Sequence, residues 1–250
     1  MYLLERGEGL TVRFYSWARP SITLGYMQDA SSELDLEAVR DGGAEWVRRA
    51  TGGRSVLHHG DLTYSCTFPK NIKAMGEKIS ETYRIITKCL LAGLDAASIK
   101  CSAHDSDTDL QGIGRTVKIP CFLAPNREEI MASGKKLVGS AQKRTSNAVL
   151  QHGSIPITTD YRQLPKYLRI DESEKIKQIE LLTAKSCCVD ELVYGATFES
   201  LVRCLMDGFS STLPFKSELM PWTPREIDDI NAIMLSDEFI SRYKSDHITK

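Results

Sequence analysis

The chain of 250 residues has 32 lysines and arginines against 33 aspartates and glutamates, which gives a formal net charge of −1 with neutral histidines. Hydrophobic residues make up 42% and charged residues 26%, which are ordinary proportions for a globular protein. These values exclude a disordered chain and argue against a general nucleic-acid-binding protein, so we expect no nucleic-acid partner. No stretch approaches the roughly 20 apolar residues of a membrane span, so we expect no membrane partner either.

The cysteines indicate a reducing environment. Their number is odd, no Cys-x-x-Cys motif is present, and residues 1–6 lack the basic start and apolar core of a signal peptide. We therefore expect a cytoplasmic protein in which most cysteines are small buried hydrophobes. The seven are Cys66, Cys89, Cys101, Cys121, Cys187, Cys188 and Cys204.

Strand patterns dominate the first two thirds of the chain. Apolar and polar residues alternate at 12–14, at 22–24 and most clearly at 62–68, which is the pattern of half-buried strands. Further strands are predicted at residues 131–137, around a Ser-Gly turn, and at 148–157. Because short turns join consecutive strands, we expect a mainly antiparallel sheet.

Helix patterns separate and follow these strands. Asn71 is a candidate N-cap for a helix whose apolar residues recur every three or four positions as far as Leu90, with Gly93 as its stop. Another apolar face lies between Phe198 and Phe209, and Thr223 followed by a proline predicts a further helix start.

These patterns predict one domain over residues 1–250. Its last part, about residues 172–250, is expected to be mostly helical and to form a layer on the sheet. The polar stretch 102–116 is expected to be a mobile loop.

The densest chemical pattern is the segment from Arg48 to His58, in which Gly52 and Gly53 stand between arginines. Glycines allow close backbone approach, and backbone N–H groups with guanidinium groups suit a phosphate or a carboxylate. A hairpin turn with solvated arginines is an equally weighted alternative. The segment is not a P-loop, because a strand pattern rather than a helix follows it.

Two later segments are also candidates. Lys136 precedes the small residues Gly139-Ser140-Ala141, against which a substrate chain could lie. An exposed hairpin lysine, removable at little cost to the fold, is the alternative. His152 lies in a strand pattern, where a histidine is more often structural than catalytic.

Cys121 lies between Pro120 and Pro125, which restrain its backbone. Position alone does not identify it as a nucleophile among seven cysteines. The acidic residues 105–109 begin like a calcium loop but lack the required later glycine and acid, so no metal site is predicted.

Taken together and in this order, the motifs resemble the biotin/lipoate protein ligase superfamily. They are Arg-Arg-x-Thr-Gly-Gly-Arg-x-Val-Leu-His at 48–58, Asp-Leu-Thr-Tyr-Ser at 61–65, Lys-Leu-Val-Gly-Ser-Ala-Gln at 136–142 and Leu-Gln-His-Gly-Ser-Ile at 150–155. Within the superfamily, the chain most resembles the cysteine-dependent octanoyltransferases. That likeness depends on Pro-Cys-Phe-x-Ala-Pro at 120–125 and on the glutamine after Gly-Ser-Ala.

The resemblance implies an α+β fold (mixed α/β), with a largely antiparallel sheet flanked by helices. It implies transfer of octanoyl from acyl carrier protein to a lysine of a lipoyl domain, such as glycine cleavage H protein or a 2-oxoacid dehydrogenase E2. It assigns Cys121 as the acyl-accepting nucleophile and Lys136 as the lysine beside it, with no cofactor and no metal. The substrate-binding residues that it implies are Arg49, Thr51, Gly52, Gly53, Arg54, His58, Tyr64, Gly139, Ser140, Ala141, Gln142, His152 and Gly153.

Three other functions share parts of this pattern. An ATP-dependent lipoate–protein ligase would use the glycine loop and Lys136 to bind an acyl-adenylate, and it would need ATP and Mg²⁺. An amidotransferase would move octanoyl or lipoyl groups between lipoyl domains with the same thiol. A non-catalytic binding protein is the fourth hypothesis, against which the intact Cys121 and Gly52-Gly53 argue. The cysteine motif favours the transferase.

Overall fold

The computed structural model describes residues 2–6, 9–104, 120, 122 and 129–245 of the chain. Its strands form two sheets, one of six strands in the order β1-β5-β9-β8-β7-β6 and one of three in the order β3-β2-β4. The strands are β1 (Thr11–Tyr15), β2 (Ser21–Leu24), β3 (Glu45–Arg48), β4 (Val56–His58), β5 (Asp61–Pro69), β6 (Ser102–His104), β7 (Glu129–Ala132), β8 (Lys135–Arg144) and β9 (Ala148–Pro156).

Every strand pair in the large sheet is antiparallel, as the short turns predict. Strand β5, next to the edge strand β1, differs from the prediction in one respect, because it is buried on both faces rather than half-buried. Leu62 is fully buried, but the alternating Thr63 and Thr67 are also only 2% and 5% exposed. Alternation identified the strand, and the cover over its polar face is a tertiary feature that period-2 patterns do not encode.

The arrangement of the small sheet shows that residues 48–58 do not form a hairpin, so that alternative is wrong. Strand β2 lies between the other two, parallel to β3 and antiparallel to β4. Residues 49–55 therefore cross from one side of β2 to the other instead of turning back between paired strands.

The hairpin predicted at Ser133-Gly134 is confirmed. Both residues adopt positive φ values, 49° and 75°, which suit a two-residue turn between β7 and β8.

The helices are α1 (Tyr2–Arg6), α2 (Ala30–Glu33), α3 (Leu36–Asp41), α4 (Ile79–Ala96), α5 (Glu172–Lys185), α6 (Phe198–Thr212), α7 (Pro224–Leu235) and α8 (Asp237–Phe239), with a π-helical turn at Ile240–Lys244. Helices α4 and α6 pack together against one face of the large sheet and share its core. The layer predicted for the C-terminal part is thus formed by α6. Helix α5 packs instead on the 3-10 segment Thr159–Tyr167.

The first long helix begins later than predicted. Asn71 is not its N-cap, because a short 3-10 turn ends at Gly76, whose φ is 82°. The Glu81 carboxylate then accepts hydrogen bonds from the N–H groups of Glu77 and Lys78 at 2.9 and 3.0 Å, so the helix begins at Ile79.

Gly93 is not the end of that helix either, since α4 continues to Ala96. It provides the contact with α6. A Cβ at Gly93 would lie 2.7 Å from the Leu205 Cα, and one at Gly208 would lie 2.7 Å from the Gly93 Cα. The two helices approach closely because neither glycine has a side chain.

Three other expectations have mixed outcomes. Thr223 caps α7, with Pro224 at its first position and Glu226 completing the capping box, as predicted. Ser102–His104 is a strand rather than part of a loop, and most of the remaining polar stretch lies outside the described residues. Of the six described cysteines, Cys101 and Cys204 are partly exposed and the others are buried.

Among the described residues, no helix is both long enough and apolar enough to cross a membrane.

We predict that Gly208→Ala lowers the free energy of unfolding by about 1–3 kcal/mol, because its methyl group would collide with the α4 backbone. In an exposed helix a Gly→Ala change mildly raises the free energy of unfolding. A decrease therefore indicates close packing, and an increase indicates that helix propensity dominates. Urea unfolding measures the effect. Asp207→Ala, at the exposed neighbouring position, serves as the control, and a Gly208 variant as stable as wild type would contradict the close contact.

Candidate active site

The candidate site lies on the face of the large sheet opposite α4 and α6. Strand register places Ser65 of β5 beside His152 of β9, and His152 beside Ala141 of β8. Because side chains alternate along a strand, Gly139 and Ala141 share this face with His152, and we call it the site face. Glycine and alanine leave the sheet surface between β8 and β9 free of long side chains.

A β-bulge turns Lys136 onto the site face. Ile130 pairs with Val138, and Met131 pairs with Lys136, so Leu137 is an extra residue in β8. Ile130 and Met131 point to opposite faces, and therefore Val138 and Lys136 do so too. Val138 is in the core under the helices, whereas the Lys136 side chain approaches Gly139 from the site face.

Lys136 is buried there, not exposed as a hairpin lysine would be. It is 4% exposed, and its Nζ lies 2.6 Å from the Glu129 Oε1 on the adjacent strand. The same Nζ lies 5.8 Å from the centre of the Phe122 ring. A buried cation is therefore held by a carboxylate and an aromatic ring.

A second ion pair, between the buried Arg162 and the exposed Glu191, supports this position. Phe122 packs on Tyr161 with ring centres 5.1 Å apart, and the Tyr161 hydroxyl is 2.7 Å from the Ser186 Oγ. Arg162 donates to both carboxylate oxygens of Glu191 at 3.0 and 2.6 Å. These bonds fix residues 186–191. Within this segment, the N–H of Cys187 donates to the Lys136 carbonyl at 2.9 Å.

The crossing segment 49–55 is held by Arg49. Its guanidinium donates to the carbonyl oxygens of Thr23, Gly52 and Arg54 at 3.0, 2.9 and 2.8 Å. Gly53 has a φ of 99°, and a Cβ there would lie 2.7 Å from the Arg49 Nη2. The arginine of the motif therefore shapes the loop from inside, and a glycine at 53 leaves room for it.

Arg49 also reaches the site face through Thr51. Its Nε donates to the Thr51 hydroxyl at 3.2 Å, and that hydroxyl is 2.7 Å from the His152 Nε2. Burial, followed by the positive charge of Arg49, lowers the pKa of His152 to about 3. The ring is thus neutral at physiological pH.

His58 belongs to a buried network that Thr23 connects to Arg49. Its Nδ1 lies 2.9 Å from the Asp61 carboxylate and its Nε2 lies 3.0 Å from the Thr23 hydroxyl. The Trp17 ring stacks on the imidazole at 4.4 Å. Ser154 donates to the same Asp61 oxygen at 2.6 Å. This network joins the small sheet to the large one.

Four of the candidate substrate-binding residues point the other way, toward the helices. Tyr64 and Ser140 bond through their hydroxyls at 2.7 Å, and Gln142 donates to Gln151 at 3.0 Å. A side chain at Gly153 would lie 2.6 Å from the Tyr64 ring. The structure thus separates these four from Lys136 and His152, and their predicted contacts with substrate remain predictions.

The other candidates divide into two groups. Gly52 is exposed, Arg54 is partly exposed and Thr51 is buried, all in the crossing segment. Cys121 lies outside the described residues, although its sequence neighbours Pro120 and Phe122 are described and buried.

Sequence patterns missed Glu129 and the Arg162–Glu191 pair. An acidic residue at the start of a strand has no distinguishing pattern, because its partner Lys136 is contributed by the next strand. The burial of Arg162 could not be predicted either, because its sequence neighbours are largely polar. In the described part of the chain, no cluster of three or more histidine, cysteine, aspartate or glutamate residues could hold a metal ion.

A cavity of about 300 Å³ adjoins His152 on the site face. Its floor is formed by β1, β5 and β9, and α1 and α7 cover it. A volume of this size is at the lower end of the roughly 300–1,000 Å³ usual for ligand pockets.

We predict that Lys136→Met lowers the free energy of unfolding by about 3 kcal/mol, because it leaves the buried Glu129 carboxylate without its cation. This expectation replaces that of an exposed lysine that could be removed at little cost. Adding Glu129→Gln should restore part of the loss, as measured by urea unfolding of both single variants and the double variant. Strict additivity of the two single effects would contradict a coupled pair.

We predict that stability falls as the pH decreases from about 6.5 toward 3. In this range the unfolded chain takes up a proton on His152 that the folded chain does not bind. Because the ring lines the cavity and keeps some exposure, the expected loss between pH 7 and pH 4.5 is about 1–2 kcal/mol.

Urea unfolding across this range should show a smaller loss for His152→Gln. Ser65→Ala changes the neighbouring cavity residue without altering a titrating group, so it should retain the wild-type dependence. An unchanged pH dependence in the His152 variant would disprove the assignment.

Comparison with known proteins identifies the family of the chain. Residues 2–210 match the family described as Lipoyl protein ligase A/B catalytic domain. The octanoyltransferase LipM of Lysinibacillus sphaericus is 35% identical over 228 residues, which cover 88% of this chain and 81% of that protein. The octanoyltransferase LipM of Geobacillus kaustophilus is 38% identical over 220 residues, covering 81% and 78%.

Solved structures confirm the predicted fold. A bi-partite lipoate protein ligase from Thermoplasma acidophilum aligns with a TM-score of 0.77 at 21% identity, covering 95% of this chain and 87% of that one. A lipoate-protein ligase A bound with ATP aligns with a TM-score of 0.72 at 22% identity, covering 95% and 89%. The ligases share the fold, and the relatives of higher identity are octanoyltransferases. The chain therefore belongs to the lipoyl protein ligase A/B catalytic-domain family, and within it to the octanoyltransferases, which are acyltransferases.

Proposed function

We propose that the protein takes an octanoyl group from acyl carrier protein onto the Cys121 thiol and passes it to a lysine of a lipoyl domain. The observation that best supports this mechanism is the buried Lys136–Glu129 pair, which lies on the site face against Phe122, the residue after Cys121. Relatives named octanoyltransferases support the choice of acyl group.

The first step is a thioester exchange. The Cys121 thiolate attacks the carbonyl carbon of octanoyl-acyl carrier protein and forms a new C–S bond, the C–S bond to the carrier breaks, and the carrier sulfur leaves as a thiolate that takes up a proton. In the second step the lysine amine attacks the same carbonyl, a C–N bond forms, and the Cys121 sulfur leaves as a thiolate. The amine proton passes to a base. No oxidation or reduction occurs in either step.

Lys136 and Glu129 provide charge for both steps. A nearby ammonium group stabilises a thiolate against protonation, and Lys136 is a cation buried on the site face. Glu129 keeps that cation in one position and can receive a proton through it when the attacking amine loses one.

The site face offers a path for the acyl chain. Gly139 and Ala141 project no long side chain over the sheet between Lys136 and His152. Arg49 and Thr51 hold His152 as a neutral ring at the end of this path. A neutral ring can border an aliphatic chain without the desolvation cost of a charged imidazolium.

No cofactor is required in this proposal. An amide is more stable than the thioester from which it forms, so the transfer proceeds without ATP and without Mg²⁺. The acceptor is a lipoyl domain, of the kind found in glycine cleavage H protein or in 2-oxoacid dehydrogenase E2, and the reaction takes place in the cytoplasm.

We predict that incubation with octanoyl-acyl carrier protein, without ATP, adds one octanoyl mass to the protein. Intact-mass spectrometry detects the adduct, and hydroxylamine removes it if it is a thioester. Cys121→Ser should abolish the adduct, whereas Cys204→Ser, at a partly exposed cysteine on α6, should keep it. Adduct formation in the Cys121 variant would refute the assignment.

Other donors separate the remaining hypotheses. Acylation of a lipoyl domain by free octanoate that depends strictly on ATP would indicate a ligase. Acylation from an octanoylated lipoyl domain, with no transfer from the carrier protein, would indicate an amidotransferase. Transfer from the carrier protein without ATP is the result that we expect.

A further inference from the structure

The cavity beside His152 is closed by residues from the end of the described chain. Side chains of Trp222, Ile230, Ile233, Met234 and Phe239 line it, and all of them lie beyond residue 210, where the family match ends. We infer that these five side chains form the end wall of the acyl-chain pocket and set the longest chain that the enzyme accepts. The inference rests on the proposed function, because it assumes that an acyl chain lies on the site face.

The wall is apolar, and its side chains point toward the sheet at helical spacing. Ile233 and Met234 follow Ile230 by three and four residues along α7, and the three side chains line the cavity together. Every residue of α7 keeps some exposure to solvent. The helix therefore covers the cavity without being part of the main core, so its side chains can change size at limited cost to the fold.

Aromatic and cationic groups attach the wall to the sheet. The Arg13 guanidinium of β1 lies 4.7 Å from the centre of the Trp222 ring and 5.5 Å from that of Tyr15. Trp222 also meets Tyr2 of α1 edge-on, with ring centres 6.0 Å apart. Burial lowers the pKa of Arg13, and the stacked rings compensate part of its lost hydration. The position of the wall is thus fixed relative to the site face.

The cavity lies beside the catalytic end of the site face, as the strand register shows. His152 lines the cavity and pairs with Ala141, while Gly139, two residues away on β8, is approached by the Lys136 side chain. A chain whose carbonyl lies near Lys136 would pass over Gly139 and Ala141 and direct its methyl end into the cavity. A cavity of about 300 Å³ suits the end of one medium-length chain and excludes a long one.

Changing the size of one wall residue tests the inference. Ile233→Trp should shorten the pocket and favour hexanoyl over octanoyl roughly tenfold relative to wild type, because one or two misplaced methylenes change selectivity by this order. Ile233→Ala should lengthen the pocket and favour decanoyl over octanoyl roughly tenfold. Intact-mass spectrometry of the acyl-enzyme, with hexanoyl, octanoyl, decanoyl and dodecanoyl carrier proteins in competition, measures these ratios.

The control is Leu235→Trp, the same bulky change on the same helix at a residue that is 78% exposed and does not line the cavity. It should keep the wild-type chain-length profile. Circular dichroism verifies folding, and Ile230→Phe replaces Ile233→Trp if that variant is unfolded.

The outcomes separate this inference from the proposed function. Wild-type acylation with unchanged profiles in both Ile233 variants would overturn the wall and leave the function standing. If no carrier acylates the wild type, the proposed function fails, and thermal shifts by free fatty acids of six to twelve carbons decide the inference instead. If wild type and both Ile233 variants then show the same order of thermal shifts with these acids, the inference about the end wall is overturned.

Discussion

The site depends on one extra residue in a strand. Without the bulge at Leu137, Lys136 would point into the core beneath α4 and α6, where Glu129 could not reach it from the site face. The bulge places the ammonium on the site face, and burial makes its partner necessary, because an unpaired cation in the same position would be strongly unfavourable. The position of the lysine and its pairing with Glu129 are therefore consequences of the same local irregularity, which residue 187 secures by donating a hydrogen bond to the Lys136 carbonyl.

Arg49 has the corresponding role in the small sheet. A solvated arginine in a Gly-Gly loop would suggest direct ligand binding, but this guanidinium is occupied by three backbone carbonyls and the Thr51 hydroxyl. It determines the path of the crossing segment and, through Thr51, helps to hold the His152 ring in place. Its influence on substrate would thus be indirect. Burial, followed by the positive charge of Arg49, lowers the pKa of His152 and keeps an uncharged ring beside the cavity.

Sequence patterns predicted what local rules determine and missed what distant contacts determine. Alternation located β5, the Ser133-Gly134 turn located the hairpin, and Thr223 located the start of α7, since each depends on a few neighbouring residues. The motifs identified the family. Gly93 was mistaken for a helix end because its function is contact with Leu205, more than a hundred residues away. Glu129 was missed for the same reason, since its importance comes from pairing across a hairpin with a lysine that a bulge has turned.

The motif at residues 139–142 serves both faces of the sheet at once. Gly139 and Ala141 leave the site face open, whereas Ser140 and Gln142 bond to Tyr64 and to Gln151 beneath the helices. A motif of this kind should not be understood as a row of substrate contacts, because period-2 alternation allows only every second residue to face the substrate. Ser140 and Gln142, which face the helices, fix the position and register of β8. A change at Ser140 could therefore reduce activity through the position of β8 while touching no substrate, so such an effect would not by itself identify a binding residue.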